Sequence, residues 1–338
     1  MTTRPNRLVA ALTATSLLVA ACADMTREGR IGSDDGDSCR QQLVALDSTG
    51  NFFAEDILRG AAVGALTGGA IGAITSGNWR GALIGAGTGA AVGAAAGYFN
   101  ARQQQYRDQA GLNAAIANDL ANENAGLDRT QIAFNQLMDC RFLQAQQVRE
   151  AVRSGRMPRE AGQAQMADLR ARTYRDIALA QRISGQIQTR GAQFDTAIDN
   201  VAPGVKDRAI ASRGTGATVS ARAPNVVVLR LRPEPGAPEV GRVAARESVT
   251  LRPAQRGYAQ VQVNGQPAGY AETRSFAGAG GRGGAGPVRL ASVPEPGAAS
   301  GGDVRQLAAS NIARREGFNE SVATAQAAAA GGGFELAG

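Results

Sequence analysis

The chain of 338 residues contains three cysteines, Cys22, Cys39 and Cys140, and its thiols are the side chains best suited to covalent chemistry. Histidine is absent from the sequence. Its absence excludes the Ser-His-Asp and Cys-His forms of catalysis and removes the commonest zinc ligand. No cysteine, serine or aspartate lies in a recognisable catalytic motif, so we expect no enzyme, no cofactor and no metal. Acylation and disulfide formation remain as the chemistry open to the thiols.

An export leader precedes the first cysteine. Two arginines in the first seven residues are followed by an apolar run over 8–21, which is too short for a stable spanning helix. The sequence LVAAC at 18–22 resembles the lipobox of bacterial lipoproteins. The resemblance implies that residues 1–21 are a signal peptide and that Cys22 becomes an acylated N-terminus, carrying chains such as palmitate in membrane lipid. Because Ala23 follows the cysteine, it also implies the outer membrane, facing the periplasm.

The other two cysteines, Cys39 and Cys140, would lie in an oxidising compartment, which favours a disulfide between them. An unbroken helix from residue 101 would place Cys140 roughly 60 Å from the membrane, at 1.5 Å per residue. A disulfide therefore predicts that this helix folds back near Gly126. If both thiols are free, the helix from residue 101 can instead continue unbroken as a long rod.

Glycines recur mostly at intervals of four over residues 59–99, after a lipidated N-terminal segment, 22–58. This spacing lines one face of a helix and lets a second backbone approach closely. In water each glycine would weaken a helix by about 1 kcal/mol relative to alanine, so packing in lipid or in an oligomer must stabilise the segment. The predicted packing residues are Gly60, Gly64, Gly68, Gly72, Gly77, Gly81, Gly85, Gly89, Gly93 and Gly97.

Two uncharged runs, 61–78 and 81–100, flank a short polar link in this segment and predict a helical hairpin. The segment resembles the glycine-zipper two-transmembrane family of outer-membrane lipoproteins, the rickettsial surface antigen type. The resemblance implies a membrane-associated hairpin that can also form a homo-oligomer. A flexible linker rich in glycine and alanine is the alternative.

Residues 100–201 carry sparse apolar residues at helical spacing, and a turn signal at 154–158 divides them. This pattern predicts an antiparallel helical stalk or coiled coil. The stalk could be a spacer or partner-binding rod, or a self-contained bundle without a partner.

Short β-prone runs fill residues 214–276, and Asn264-Gly265 indicates a hairpin turn, so we expect a small barrel. The order of features, with LRLRP at 229–233 and aromatics in the later strands, resembles a bacterial SH3 domain. The resemblance implies a ligand surface for peptidoglycan or peptides. A solvated basic surface is the alternative. The surface would comprise Tyr258, Tyr270, Arg230 and Arg232.

The remaining residues, 277–338, are rich in Gly, Ala and Pro and predict a disordered tail with at most a short helix over 304–315. The expected fold class is thus multidomain and mainly α, with a zipper hairpin, a helical stalk, a small SH3-like β-barrel and a disordered tail. Arginines are not clustered with aromatics, which argues against nucleic acid as a partner.

These features predict an outer-membrane-anchored lipoprotein with a structural or interaction role. It would be mainly periplasmic and would present its SH3-like domain to peptidoglycan or envelope proteins. A zipper-driven oligomeric pore or a secretion-system component is the alternative function.

Overall fold

The computed structural model describes residues 26–53, 98–214, 218–278, 288–290, 293, 295–297 and 299–336. The predicted signal peptide, Cys22 and all ten zipper glycines lie outside the described residues, and so does the predicted helical hairpin. None of the described helices is both long and apolar enough to cross a membrane. The helices are α1 (Arg27–Ile31), α2 (described over 40–53), α3 (described over 98–105), α4 (Gln109–Arg153), α5 (Arg159–Val201), α6 (Val205–Gly214) and α7 (Val304–Ala330).

Helix α4 begins where the Asp108 side chain accepts a hydrogen bond from the backbone N–H of Gly111 at 2.7 Å. It then continues for 45 residues and passes through Gly126 without a break, so the predicted fold-back there is wrong. Gly126 has a different role, because a Cβ at this position would lie 2.5 Å from Cε1 of Phe52. The missing side chain lets the Phe52 ring lie directly against the helix backbone.

Helices α4 and α5 form the predicted antiparallel stalk, joined at 154–158, where Gly155 adopts a φ of +72°. A third helix, α7, packs along both of them. The ring of Phe318 in α7 meets that of Phe134 in α4 at 5.7 Å. The stalk is therefore part of a helical bundle that the C-terminal segment completes.

The prediction of a disordered tail is wrong, since α7 spans 27 residues of it. The Asp303 side chain caps the helix by accepting from the N–H of Gln306 at 2.9 Å. Few of its side chains are large, but small side chains allow close packing against α4, α5 and the sheet at once. The buried residues of α7 are Leu307, Ala308, Ser310, Asn311, Ile312, Phe318, Val322, Thr324, Ala325, Ala328 and Ala329.

The β region forms a seven-stranded sheet in which the strands pair antiparallel, in the order β3-β2-β6-β5-β4-β1-β7. Asn264 and Gly265 turn the chain between β5 and β6 with positive φ angles of 52° and 77°, as their types predict. The strands are β1 (Val219–Arg222), β2 (Val227–Arg230), β3 (Glu239–Val243), β4 (Ser248–Pro253), β5 (Tyr258–Val263), β6 (Gln266–Glu272) and β7 (Ala277–Gly278).

The sheet shares one hydrophobic core with the helices. Leu251 and Val261 of the sheet belong to the same buried cluster as Phe142 of α4 and Phe318 of α7. Helix α7 packs on β6, and a short turn at Gly332–Phe334 packs against β3. The predicted fold class, with a small SH3-like barrel, a mainly α multidomain chain and a free tail, is therefore wrong. The described residues form a helical bundle and an antiparallel sheet, and α7 joins them.

Candidate functional site

The structure contains the disulfide that the sequence predicts between Cys39 and Cys140, with the two Cα atoms 5.9 Å apart. Helix α2 reaches this position by running alongside α4, with its start at Cys140 and its end beside Gly126. Bending of α4 is therefore unnecessary. The disulfide fixes the segment that precedes the zipper to the middle of the helical bundle.

A buried ion cluster lies beside the disulfide and is centred on Arg141, whose side chain is 1% exposed. Its Nη1 and Nη2 donate to the two carboxylate oxygens of Asp37 at 2.7 and 2.6 Å. Its Nε donates to Asp176 of α5 at 2.6 Å. Arg141 thus joins the N-terminal segment, α4 and α5 through one guanidinium group. We call Asp37, Cys39, Cys140, Arg141 and Asp176 the clamp.

The clamp carboxylates differ in their pKa. Burial would raise the pKa of Asp37, but hydrogen bonds from Arg141 and from the Cys39 N–H, with the charges of Arg141 and Arg172, hold it below its ordinary value. Burial dominates at Asp176 and raises its pKa despite Arg141. These carboxylates serve a salt bridge, and no group of three or more His, Cys, Asp or Glu in the described parts of the chain is placed to hold a metal ion.

The described chain enters the zipper segment and returns from it in the half of the bundle opposite the turn at 154–158. On leaving, Phe52 lies over Gly126, with the Arg190 guanidinium 5.3 Å from its ring centroid. On returning, Tyr98 donates to Asp119 of α4 at 2.6 Å. Asp119 and Gly126 are about 10 Å apart along α4, at 1.5 Å per residue. We call this the zipper end of the bundle; the opposite end, at the turn 154–158, is the tip.

Two of the four predicted ligand-surface residues are occupied by contacts within the chain. Tyr270 is buried under α7, where its hydroxyl donates to Glu320 at 3.1 Å. Burial, with the nearby Glu320 charge, raises the pKa of Tyr270. Arg232 binds Asp139 of α4 through Nη2 at 3.0 Å and Glu234 through Nε at 2.8 Å. Burial would lower the pKa of Arg232, but these carboxylates raise it above its ordinary value. Both residues connect the sheet to the helices.

The other two predicted residues, Tyr258 and Arg230, line a groove of about 410 Å³ on the sheet. The Arg230 guanidinium donates to the Ala237 carbonyl at 2.9 Å. Val226 and Val228 also line this groove and are 59% and 37% exposed. These valines are not among the residues predicted for the ligand surface. The run of four apolar residues at 226–229 could have indicated them, because a strand cannot direct all four side chains to one face.

Arg230 faces Tyr270 in the sheet register, and Tyr270 faces Gln260. Directly opposed residues share a face, so Arg230, Tyr270 and Gln260 lie on the same side of the sheet. Gln260 donates to Glu320 of α7 at 3.1 Å. Helix α7 therefore covers one part of this face, and the groove is the part that remains open.

In the comparison with known proteins, a family model matches the zipper segment. Residues 43–101 match the family model described as YMGG-like Gly-zipper. No curated protein and no solved structure matches the chain significantly. The match begins inside α2 and ends inside α3, so it includes both connections of the zipper segment to the bundle. This segment is thus of the glycine-zipper type, which agrees with a location at the cell envelope.

Proposed function

We propose that this protein is a non-catalytic lipoprotein of the bacterial outer membrane. It would hold the disulfide-linked helical bundle, here called the helical body, at the membrane. Its sheet would bind an envelope protein. The lipid on Cys22 and the glycine-zipper segment would attach the chain to the membrane. The helical body would extend from there into the periplasm.

The observation that carries this proposal is the common end at which the zipper segment leaves and rejoins the bundle, at Phe52 and Tyr98. A segment whose two ends lie this close can enter a membrane without separating the parts of the body. The clamp supports the same arrangement, because it attaches the chain that follows Cys22 to the bundle through a disulfide and a buried arginine. Acyl chains contribute roughly 0.8 kcal/mol per buried methylene, so several together hold a protein on a bilayer.

Metabolic labelling with palmitate tests the lipid anchor. We expect the wild-type chain to be labelled and to fractionate with the outer membrane, and Cys22→Ser to remain an unlabelled precursor. The double variant Cys39→Ser/Cys140→Ser is the matched control, because it removes the other two thiols and should keep the label. Labelled, mature-sized protein from Cys22→Ser would contradict the proposal, as would ring-sized, detergent-resistant oligomers of the wild-type chain.

For the partner we propose an extended protein segment that carries apolar side chains and an acidic group, bound in the sheet groove. The exposed Val226 and Val228 suit the apolar side chains, and Arg230, whose guanidinium donates to a backbone carbonyl, suits the acidic group. A photo-crosslinking residue at position 228 should give one defined protein adduct in cells. Position 210 is the control, because Ile210 on α6 is also 50% exposed and does not line the groove. Equal adducts from both positions would argue against the groove.

A further inference from the structure

A second and larger cavity, of about 880 Å³, lies at the tip of the bundle. Its walls come from the end of α4, the start of α5, strand β3 and the C-terminal turn. The volume falls within the roughly 300–1,000 Å³ of ligand pockets. Counted along α4 from Asp119 to Arg153, the tip lies about 50 Å from the zipper end, at 1.5 Å per residue.

Four arginines and three glutamates line this cavity. The glutamates all have arginine partners: Glu150 binds Arg153 at 2.9 Å, Glu239 binds Arg242 at 2.6 Å, and Glu335 lies 3.9 Å from Arg170. Arg149 and Arg159, in contrast, have no carboxylate within 4 Å in the described residues. Arg170 lies outside the lining and pairs with the third glutamate, so the guanidinium groups of Arg149 and Arg159 remain without an acidic partner.

Arg149 is the most enclosed of the four, being half-buried. Its guanidinium donates to two backbone carbonyls, Gly333 O at 3.0 Å and Glu335 O at 3.5 Å. Burial lowers the pKa of Arg149, and the charges of Arg242 and Arg153 add to this effect against that of Glu239. An anion that enters the cavity would stabilise this guanidinium, because it supplies the negative charge that no carboxylate of the described chain provides by direct contact.

Strand β3 supplies the second component of a binding site. It lies at the end of the strand order and pairs with β2, its one strand partner among the described residues. Val240, Gly241 and Arg242 of this edge strand line the cavity. An edge strand can take an added strand from a peptide through main-chain hydrogen bonds.

We propose that the tip cavity binds the free carboxylate end of a peptide, which lies along the edge of β3 and places its carboxylate on Arg149 and Arg159. A carboxylate suits the site better than a phosphate, because the three glutamates of the lining disfavour a second negative charge on the ligand. Peptide ends in the periplasm can reach a tip that points away from the membrane. Only this orientation rests on the proposed function.

Calorimetry on the full mature chain in a non-ionic detergent tests the site with N-acetyl-trialanine. The matched probe is the same peptide with its C-terminus amidated, which keeps the backbone and removes the charge. We expect the carboxylate form to bind at least tenfold more tightly than the amide. We also expect the double variant Arg149→Met/Arg159→Met to lose this preference. Arg156→Met is the control, because Arg156 lies exposed in the same tip turn, bonds Ser154 and does not line the cavity.

Equal binding of acid and amide, or a preference that survives in the double variant, would overturn the proposal. Loss of the preference for the carboxylate peptide in Arg156→Met would also overturn the proposal, since the preference would then come from the overall positive charge of the tip and not from the cavity. Inorganic phosphate that displaces the peptide at equal concentration would show a site for a dianion and contradict the assignment to carboxylate. These measurements need no membrane and depend on the tip cavity alone. The peptide site can therefore fail while the lipid anchor is supported, and the lipid anchor can fail while the peptide site is supported.

Discussion

Two arginines of α4, eight residues apart, have opposite surroundings. Arg141 in the clamp is fully buried and is held by two carboxylates, which raise its pKa above the ordinary value although burial alone would lower it. Arg149 at the tip is half-buried, its guanidinium donates to backbone carbonyls, and its pKa is lowered. The same residue type on the same helix is therefore neutralised by the fold in one region and left available in the other.

This difference indicates that Arg141 serves the stability of the fold, whereas Arg149 on the same helix is free to bind a ligand. A buried charge with complete partners is costly to disturb, because removing one member leaves the others buried and unpaired. A partly buried charge without an acidic partner contributes little to folding and can interact with a ligand. Substitutions in the clamp should therefore lower the free energy of unfolding, and substitutions in the tip cavity should lower the affinity for a ligand.

The largest expected effect comes from the disulfide of the clamp. The bond closes a loop of about 100 residues, for which the chain-entropy model gives roughly 4 to 5 kcal/mol. We expect Cys39→Ser/Cys140→Ser to lower the free energy of unfolding by about 4 kcal/mol. Urea unfolding followed by far-UV circular dichroism measures it, since the single tryptophan, Trp79, reports on the zipper segment instead. Wild-type protein treated with a reductant should show the same loss; unchanged stability in both would mean that the bond does not constrain the chain.

A somewhat smaller loss should follow from Arg141→Met, which leaves Asp37 and Asp176 buried without their cation. Removing one member of a buried ion pair costs about 3–5 kcal/mol. We expect about 3 kcal/mol, the lower end of that range, because Arg172 still lies 3.8 Å from Asp37. The same urea titration measures it.

The variant Arg141→Met/Asp37→Asn/Asp176→Asn is the control for Arg141→Met. It removes the carboxylate charges along with the cation, so it should recover part of the lost stability. A triple variant as unstable as the sum of its single changes would show that the side chains contribute through packing and not through charge.

The sequence predicted the elements whose signals are local. The stalk helices followed from apolar spacing, the β5–β6 hairpin from Asn264-Gly265, and the disulfide from the compartment and the count of cysteines. Each of these signals lies within a few residues or follows from composition, so no tertiary contact was needed.

The missed features depend on distant contacts. Helix α7 was overlooked because its small side chains carry little apolar surface alone and become core only between α4, α5 and the sheet. The Arg141–Asp37 pair joins residues 104 positions apart, and no spacing in the sequence indicates it. Tyr270 looked like a ligand residue because the helix that covers it comes from the tail, which was expected to be disordered.

Acid should weaken the clamp through Asp37. Its pKa in the folded chain lies below its ordinary value, so its contribution to stability is complete above the unfolded pKa, about 3.9, and is lost as the pH falls through the folded pKa. We expect Asp37→Asn to be less stable than the wild-type chain at pH 7, and the difference to shrink below about pH 4. Urea midpoints at several pH values measure this difference. A constant difference across the range would show that Asp37 does not act through its charge.

The smallest expected change in stability is that of Arg149→Met, and it tests the comparison most directly. Methionine keeps the apolar stem, while the hydrogen bond to the Gly333 carbonyl and the repulsion from Arg153 and Arg242 disappear together. We therefore expect the free energy of unfolding to change by less than about 1 kcal/mol, against about 3 for Arg141→Met. Added N-acetyl-trialanine at ten times its Kd should stabilise the wild-type chain by about 1.4 kcal/mol and the variant by much less. If Arg149→Met lowers the free energy of unfolding as much as Arg141→Met does, Arg149 supports the fold, and its lack of an acidic partner no longer indicates a binding site at the tip cavity.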